Sequence, residues 1–244
     1  MRRLHLHTLA LFAALPLAFG CSGRERLGER LCAGQHALLA RVYSAAEAPG
    51  PAANECLLGL RTQPDNPSLR TMLASSALKI GLERWALESI AGCPFDPRQR
   101  GLWHDLAWYA YDKQHPAFVT LSRQILLYDP FDADTANGLA YYYAERNENL
   151  SEAEGLARRA LALAPEDGAI LDTVGWVCYR QGRYQEALRY LQRAVAQPGM
   201  ARIPEVAEHL AAVYEALGDE QTARRLRAQA SLGQRPPSEP AGVE

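Results

Sequence analysis

The chain has 244 residues, of which 48% are apolar and 22% charged, so it can bury the core of one ordinary domain or two small ones. Its net charge is −2, and it becomes −4 if Arg2 and Arg3 are removed with an N-terminal signal, which leaves 24 basic against 28 acidic residues. This balance excludes the basic surplus typical of nucleic-acid-binding proteins, so we expect no nucleic-acid partner. Alanine, leucine and arginine dominate while valine and isoleucine are scarce, which favours helix over strand.

The N-terminal segment has the features of an export signal, which we predict over residues 1–20. Arg2 and Arg3 supply the positive start, and the apolar stretch Thr8–Leu17 is too short to be a membrane-spanning helix. Small residues then precede Cys21. Beyond this segment, no stretch of the sequence is long and apolar enough to span a bilayer.

The run Leu17-Ala18-Phe19-Gly20-Cys21 resembles a bacterial lipobox, although Ala18 stands where lipoboxes favour leucine. The resemblance implies a diacylglyceryl group on the thiol of Cys21 and cleavage of the signal before it. Ser22, at the position after the cysteine, implies sorting to the outer membrane by similarity to enterobacterial lipoproteins. We therefore expect a lipid-anchored protein of the outer membrane that faces the periplasm. The alternative is ordinary cleavage after Gly20, which would release a soluble protein.

The two ends of the remaining chain are predicted to lie outside the folded body. Ser22–Arg30 is polar and contains two glycines, so residues 21–32 are predicted as a tether between the lipid and the body. Residues 231–244 contain three prolines and two glycines and almost no large apolar side chain, so we predict a disordered tail.

Between these ends, small residues recur at a fixed period. One set of alanines is spaced by 34 and 36 residues, and a second set repeats the same spacings: Ala153, Ala187 and Ala223, then Ala160, Ala194 and Ala230. This pattern resembles the tetratricopeptide repeat (TPR), a helix-turn-helix of 34 residues whose two helices are called A and B. The resemblance implies an all-α fold, a right-handed superhelix of about six repeats, with helices A lining its concave side.

Each small residue of the repeat has a steric reason. Glycine permits the tight turn between helix A and helix B, and the alanines of helix B admit the neighbouring helix. Gly175, after Val174 in helix A of the fifth repeat, is predicted to lie where helix A meets its partner helix. With this register we assign six repeats to residues 33–230: 33–66, 67–99, 100–132, 133–167, 168–203 and 204–230.

The sequence contains no catalytic constellation. The histidines beyond residue 20 are not spaced as metal ligands with one another or with cysteine, and no phosphate-binding loop or nucleophile elbow is present: His36, His104, His115 and His209. We therefore predict a non-enzymatic protein with no cofactor and no metal site.

Five cysteines are too few for a disulfide scaffold in a chain of this length. Cys32 and Cys56 both belong to the first repeat, and an oxidising compartment could join them in a disulfide. The alternative is that the cysteines other than Cys21 are small buried residues. Cys178 replaces a tyrosine of the repeat pattern inside helix A, so we predict that it is buried and unpaired.

The TPR resemblance also implies which side chains face the groove. Carried onto the third to fifth repeats, it predicts a peptide-binding set: His104, Trp108, Tyr111, Asp112, Asn137, Tyr141, Asp172, Trp176, Tyr179 and Arg180. The five rings of this set form an aromatic stripe, and aromatic rings beside charges and amides suit an extended peptide. The alternative is that the rings pack between adjacent helices A and hold the solenoid together.

Repeats four and five resemble the closing repeats of TPR lipoproteins that serve envelope protease, cell-wall hydrolase or polysaccharide-export systems. The resemblance implies a scaffold that binds a protein or peptide partner and is held at a membrane by its lipid anchor. One alternative is a pilotin-like lipoprotein that escorts a secretin or pilus component. Others are an enzyme, which no residue set supports, and a structural spacer or homo-dimer.

Overall fold

The computed structural model describes residues 24–233, with the side chains of residues 32–230. This part of the chain contains twelve α-helices, two short 3-10 helices and no strand, which confirms the all-α fold class. The α-helices follow one another as six pairs. Their bounds are α1 Arg24–Ala45, α2 Pro49–Thr62, α3 Pro67–Lys79, α4 Glu83–Ile90, α5 Arg100–Asp112, α6 Ala117–Tyr128, α7 Ala133–Arg146, α8 Leu150–Leu163, α9 Gly168–Arg180, α10 Tyr184–Ala196, α11 Pro204–Ala216 and α12 Glu220–Gly233. The 3-10 helices are Pro97–Gln99 and Met200–Arg202.

The chain divides into two compact units, the first up to Leu121 and the second from Ser122, with the division inside α6. In the first unit, the side chains of α1, α2 and α3 form a core cluster that includes Ala40, Cys56 and Leu69. In the second unit, the periodic alanines of α8 and α10 and the first one of α12, Ala223, are buried, whereas Ala230 is half-buried. Most of the apolar side chains of α9 are buried as well. Each unit therefore has its own apolar interior.

The turns between paired helices share one backbone conformation. In all six pairs, a residue just after the first helix has a positive φ, between 51° and 89°. Glycine occupies this position in three turns, at Gly81, Gly182 and Gly218, as the repeat pattern predicts. The other three turns use a residue with a side chain: Glu47, Gln114 and Asn147.

Aspartate side chains cap the start of α7 and α9, two helices of the candidate site. The carboxylate of Asp132 accepts a hydrogen bond from the backbone N–H of Thr135 at the start of α7. Asp167 accepts from the N–H groups of Ala169 and Ile170 at the start of α9. These caps satisfy donors that a helix start leaves without an intrahelical partner.

Because Gly175 has no side chain, α9 and α10 can approach each other closely. A Cβ atom at Gly175 would lie 2.7 Å from Leu191 Cγ and 3.3 Å from the backbone oxygen of Ala187. Gly175 is thus in contact with its partner helix, as the sequence predicts. Any larger residue must push α10 away or force Leu191 into another rotamer.

The helix bounds of the structure differ from two boundaries predicted from the sequence. The tether was predicted over residues 21–32, but α1 begins at Arg24, because Arg, Glu and Leu are good helix formers and continue the first helix backwards. The tail was predicted from residue 231, but α12 runs to Gly233. The predicted signal over residues 1–20, the lipid site Cys21 and the tail beyond residue 233 lie outside the described residues. Over residues 24–233, no helix is both long enough and apolar enough to cross a membrane.

Candidate functional site

The first helices of three successive pairs, α7, α9 and α11, meet at the indole of Trp176. Its ring is stacked on the imidazole of His209, with centroids 4.1 Å apart and planes inclined by 17°. Its Nε1–H donates to Glu145 Oε1 at 2.6 Å. Trp176 is only 9% exposed. This ring of the predicted aromatic stripe therefore packs between helices, in line with the second of the two interpretations of the stripe.

A buried polar pair lies beneath this ring. His209 Nδ1 is 3.0 Å and 2.9 Å from the two carboxylate oxygens of Asp172, and both side chains are buried. Burial raises the pKa of the Asp172 carboxyl above its usual value, and the hydrogen bond from His209 acts in the opposite direction. A carboxylate in this position costs free energy unless its partner is present, so the pair links α9 to α11.

Sequence reasoning missed His209. The repeat register predicted Asp172 at a groove position, but it offered no partner for this carboxyl. The signal was present in the sequence, because an acidic residue among the apolar side chains of α9 requires a donor from a neighbouring helix. His209, at nearly the same register one repeat later, is that donor.

Around Trp176, several predicted site residues remain partly accessible. Tyr179 is half-buried and stacks on the indole, with centroids 4.7 Å apart. The Cζ atom of Arg180 lies 5.6 Å from the centre of the same ring, and its Nη2–H donates to the backbone oxygen of Glu145 at 3.3 Å. The hydroxyl of Tyr141 donates to the carboxylate of Glu205 across α7 and α11. These groups form a surface on which rings alternate with charges.

Two polar side chains of α7 extend this surface. Asp134 is exposed in the first turn of the helix. Asn137, one turn further on, is half-buried, and its Oδ1 atom accepts no hydrogen bond from the described residues. This oxygen is itself buried, so it is not open to a donor from outside the chain.

The charges of the second unit are divided between its helices. The first helices of the pairs, α7, α9 and α11, carry six carboxylates and two arginines. The second helices, α8, α10 and α12, carry four carboxylates and seven arginines. Arg227 of α12 pairs with Glu208 and Glu215 of α11. The side chains of Asp134, Glu145 and Glu205 have no such guanidinium partner and are exposed. The surface formed by α7, α9 and α11, which we call the helix-A surface of the second unit, is therefore acidic.

The four predicted site residues of the first unit form a separate group on α5. Trp108 is 43% exposed, and its ring lies 5.7 Å from Tyr111 and 6.4 Å from Phe118 of α6. The structure pairs Asp112 with its neighbour Lys113, Nζ to Oδ2, at 2.6 Å. It also places His104 Nε2 3.3 Å from Arg100 Nε. This group therefore contains an exposed indole. Its acidic and basic side chains are more evenly mixed than those of α7, α9 and α11.

The cysteines of the described part are all free thiols, so the proposed disulfide between Cys32 and Cys56 is not formed. Cys32 is exposed on α1, whereas Cys56 is completely buried in the core cluster of the first unit. Burial raises the pKa of Cys56 to about 12. Cys178 is buried and unpaired, as predicted, and burial raises its pKa to about 11. Thiols held so far from ionisation are packing groups.

No cluster of three or more histidine, cysteine, aspartate or glutamate side chains suited to holding a metal ion occurs in the part of the chain that the structure describes. The polar groups at the helix-A surface of the second unit are donors and acceptors arranged along helices. They can bind backbone amides and cationic side chains.

The paired helices define a helical-repeat protein, and comparison with known proteins gives one of its repeats a family. Residues 168–197, which are α9 and α10 with their flanking turns, match the tetratricopeptide repeat family. The chain is 41% identical over 90 residues to the TPR repeat-containing protein PA4667 of Pseudomonas aeruginosa. That match covers 36% of this chain and spans 14% of the relative's length.

A solved TPR structure shares the fold. A tetratricopeptide repeat protein from Parabacteroides merdae aligns with 84% of this chain and 81% of its own, at a TM-score of 0.55 and 15% identity. PilW, described as a widely conserved type IV pilus biogenesis factor, aligns with 82% of this chain and 92% of its own, at a TM-score of 0.49 and 17% identity. The fold of this chain is thus that of a TPR solenoid protein.

Proposed function

We propose that this protein is a non-enzymatic scaffold of the bacterial cell envelope that holds a protein partner against the helix-A surface of its second unit. The observation that carries the proposal is the acidic, ring-bearing surface formed by α7, α9 and α11. Tyr141, Tyr179 and Arg180 are partly accessible there, above the buried contact between Trp176 and His209.

The chemistry of this surface selects the kind of partner. Its exposed carboxylates attract lysine and arginine side chains, and the half-buried tyrosine rings favour both apolar groups and cations. The matching ligand is an extended segment of a partner protein that carries basic side chains.

We further propose that the chain is anchored by a lipid on Cys21 to the outer membrane and faces the periplasm. The support for this is the lipobox-like run that ends at Cys21. The partners that fit this location are an envelope protease, a cell-wall hydrolase, or an export or secretin component. Replacing Cys21→Ser should move the protein from the membrane to the soluble fraction and abolish labelling by a fatty-acid probe. A wild-type protein that is itself soluble and unlabelled would refute the anchor and leave the scaffold proposal standing.

The scaffold proposal is tested by chemical crosslinking and pull-down from membranes of the native host. The test compares wild type with Asp134→Lys, which reverses an exposed charge of the surface. Glu148→Lys is the matched control, because it makes the same reversal in the exposed turn after α7. We expect partner recovery to fall about fivefold with Asp134→Lys, from about 1 kcal/mol for an exposed ion pair, and to be retained with Glu148→Lys.

Equal recovery with wild type and both variants would contradict binding at the helix-A surface. The identity of the captured protein separates the two functions considered. A protease or hydrolase supports the scaffold, whereas a secretin or pilus component recovered in its place would make the protein a pilotin.

A further inference from the structure

The first helix, α1, has an apolar face that no other described helix covers. Ala33 and Ala40 of this helix are buried in the core cluster of the first unit. Leu38 and Val42 lie on the other side of the helix, where Leu38 is 63% and Val42 37% exposed, and Arg41 beside them is exposed too. We call this side the α1 face. An apolar helix face without a neighbour is typical of a surface that contacts something outside the chain.

Helical periodicity extends the α1 face towards the start of the helix. At 3.6 residues per turn, Leu27 and Leu31 stand within about 20° of Leu38 around the helix axis. The two glutamates of the helix, Glu25 and Glu29, stand about 140° and 180° away from Leu38 on the same count. Leucine therefore recurs along one line of α1, and the carboxylates of the helix fall on the opposite side.

The net charge of α1 is opposite in sign to that of the chain that follows it. Residues 24–45 contain four arginines and two glutamates, a net charge of +2. Residues 46–244 contain 20 basic and 26 acidic residues, a net charge of −6. The first carboxylate after the helix, that of Glu47, lies in the turn that follows. A basic helix with an apolar face matches the interface of an anionic bilayer, where phosphates lie above acyl chains.

The place of α1 in the chain brings it close to such a surface. Its first residue, Arg24, follows the proposed lipid site Cys21 by three residues, which span at most about 11 Å. A lipid on Cys21 would hold the start of the helix within that distance of the headgroups. Because α1 extends over 22 residues, or about 33 Å, its whole apolar face can lie along the membrane from this point.

We propose that α1 lies in the interface of an anionic membrane, with the α1 face against the acyl chains and Arg41 at the phosphates. The inference rests on the membrane location proposed above, and it adds a contact between the folded body and the bilayer. This contact fixes the orientation of the first unit on the membrane, instead of leaving it to turn about a single anchoring residue.

The test uses residues 22–244, which contain every described helix but neither the predicted signal nor the lipid site. Binding is measured by cosedimentation with vesicles of phosphatidylglycerol and, separately, of phosphatidylcholine. Leu38→Ser and Arg41→Glu are compared with the unsubstituted chain and with Leu163→Ser, a control at the end of α8, where the leucine is 40% exposed. Thermal unfolding of each variant verifies that it is folded.

We expect the unsubstituted chain and Leu163→Ser to bind phosphatidylglycerol vesicles equally, and to bind phosphatidylcholine vesicles much more weakly. Leu38→Ser should bind phosphatidylglycerol vesicles about tenfold more weakly, because an apolar side chain no longer leaves water. Arg41→Glu should bind them about fivefold more weakly, because it reverses a charge at the phosphates.

Absence of binding to phosphatidylglycerol vesicles, or equal binding by the unsubstituted chain and Leu38→Ser, would overturn the proposal. A dimer that is seen by sedimentation and lost with Leu38→Ser, without vesicle binding, would also overturn it and would assign the α1 face to a second copy of the chain. Because residues 22–244 carry no lipid, these results are independent of the Cys21→Ser experiment that tests the anchor.

Discussion

The imidazole of His209 lies nearly parallel to the indole of Trp176, with ring centroids 4.1 Å apart. The same imidazole binds the carboxylate of Asp172, and the same indole donates to Glu145. One stacked pair thus joins α7, α9 and α11 at the centre of the second unit. The rings beside it, Tyr141 and Tyr179, remain partly accessible. The contact therefore gives Trp176 a packing role and leaves the tyrosines as candidates for binding.

Truncation of the Trp176 side chain should lower the stability of the fold. We expect Trp176→Ala to lower the free energy of unfolding by about 3–5 kcal/mol, the range for loss of a buried large aromatic side chain. Trp176→Phe keeps most of the packing but loses the hydrogen bond to Glu145, which should cost about 1.5–3 kcal/mol. Urea unfolding of the three proteins measures both losses. A Trp176→Ala protein as stable as wild type would show that the indole is not part of the packing.

The contributions of Asp172 and His209 to the free energy of unfolding should depend on each other. His209→Ala leaves a buried carboxylate without its donor, and we expect a loss of about 3–5 kcal/mol. Asp172→Ala removes the acceptor and should also destabilise the protein. The double variant should lose less than the sum of the two single losses, because neither group is then left alone. Additive losses in this double-mutant cycle would contradict a direct interaction.

The close approach at Gly175 predicts opposite effects for two glycine substitutions in neighbouring helices. Gly175→Ala should lower stability by about 1–3 kcal/mol, because the new methyl group meets Leu191 and the backbone of α10. Gly155→Ala, in α8, meets no atom within 4 Å and should raise stability by about 0.5–1 kcal/mol. The melting temperatures of the two variants, compared with that of wild type, measure these opposite changes in stability. An unchanged value for Gly175→Ala would mean that α9 and α10 are not in close contact.

Thiol labelling should distinguish the cysteines in the native state. In a Cys21→Ser protein, we expect one rapid reaction with iodoacetamide at pH 8, at the exposed Cys32. A raised pKa lowers the thiolate fraction, so Cys56, with a pKa of about 12, is ionised in about one molecule in 10,000 at this pH. Cys56 and Cys178 should react only after unfolding. Mass spectrometry of labelled peptides locates the reaction, and rapid labelling of Cys56 in the native protein would contradict its burial.

The repeat pattern predicted the helical fold because it records where small residues let helices touch, and Gly175 is an example. It did not predict the start of α1 at Arg24, since the residues before the first repeat carry no periodic signal. The repeat pattern also did not predict a positive φ at Gln114 and Asn147, because it marks this turn conformation by glycine alone. The burial of Trp176 depends on His209, 33 residues away, whose position follows from packing between helices and not from local pattern.

The most direct test of the central claim is hydrogen–deuterium exchange of the protein alone and in complex with the partner captured by crosslinking. If the helix-A surface of the second unit binds that partner, amides of α7, α9 and α11 should become more protected in the complex, while those of α8, α10 and α12 exchange as before. Protection confined to α8, α10 and α12, or to the first unit, would contradict the account.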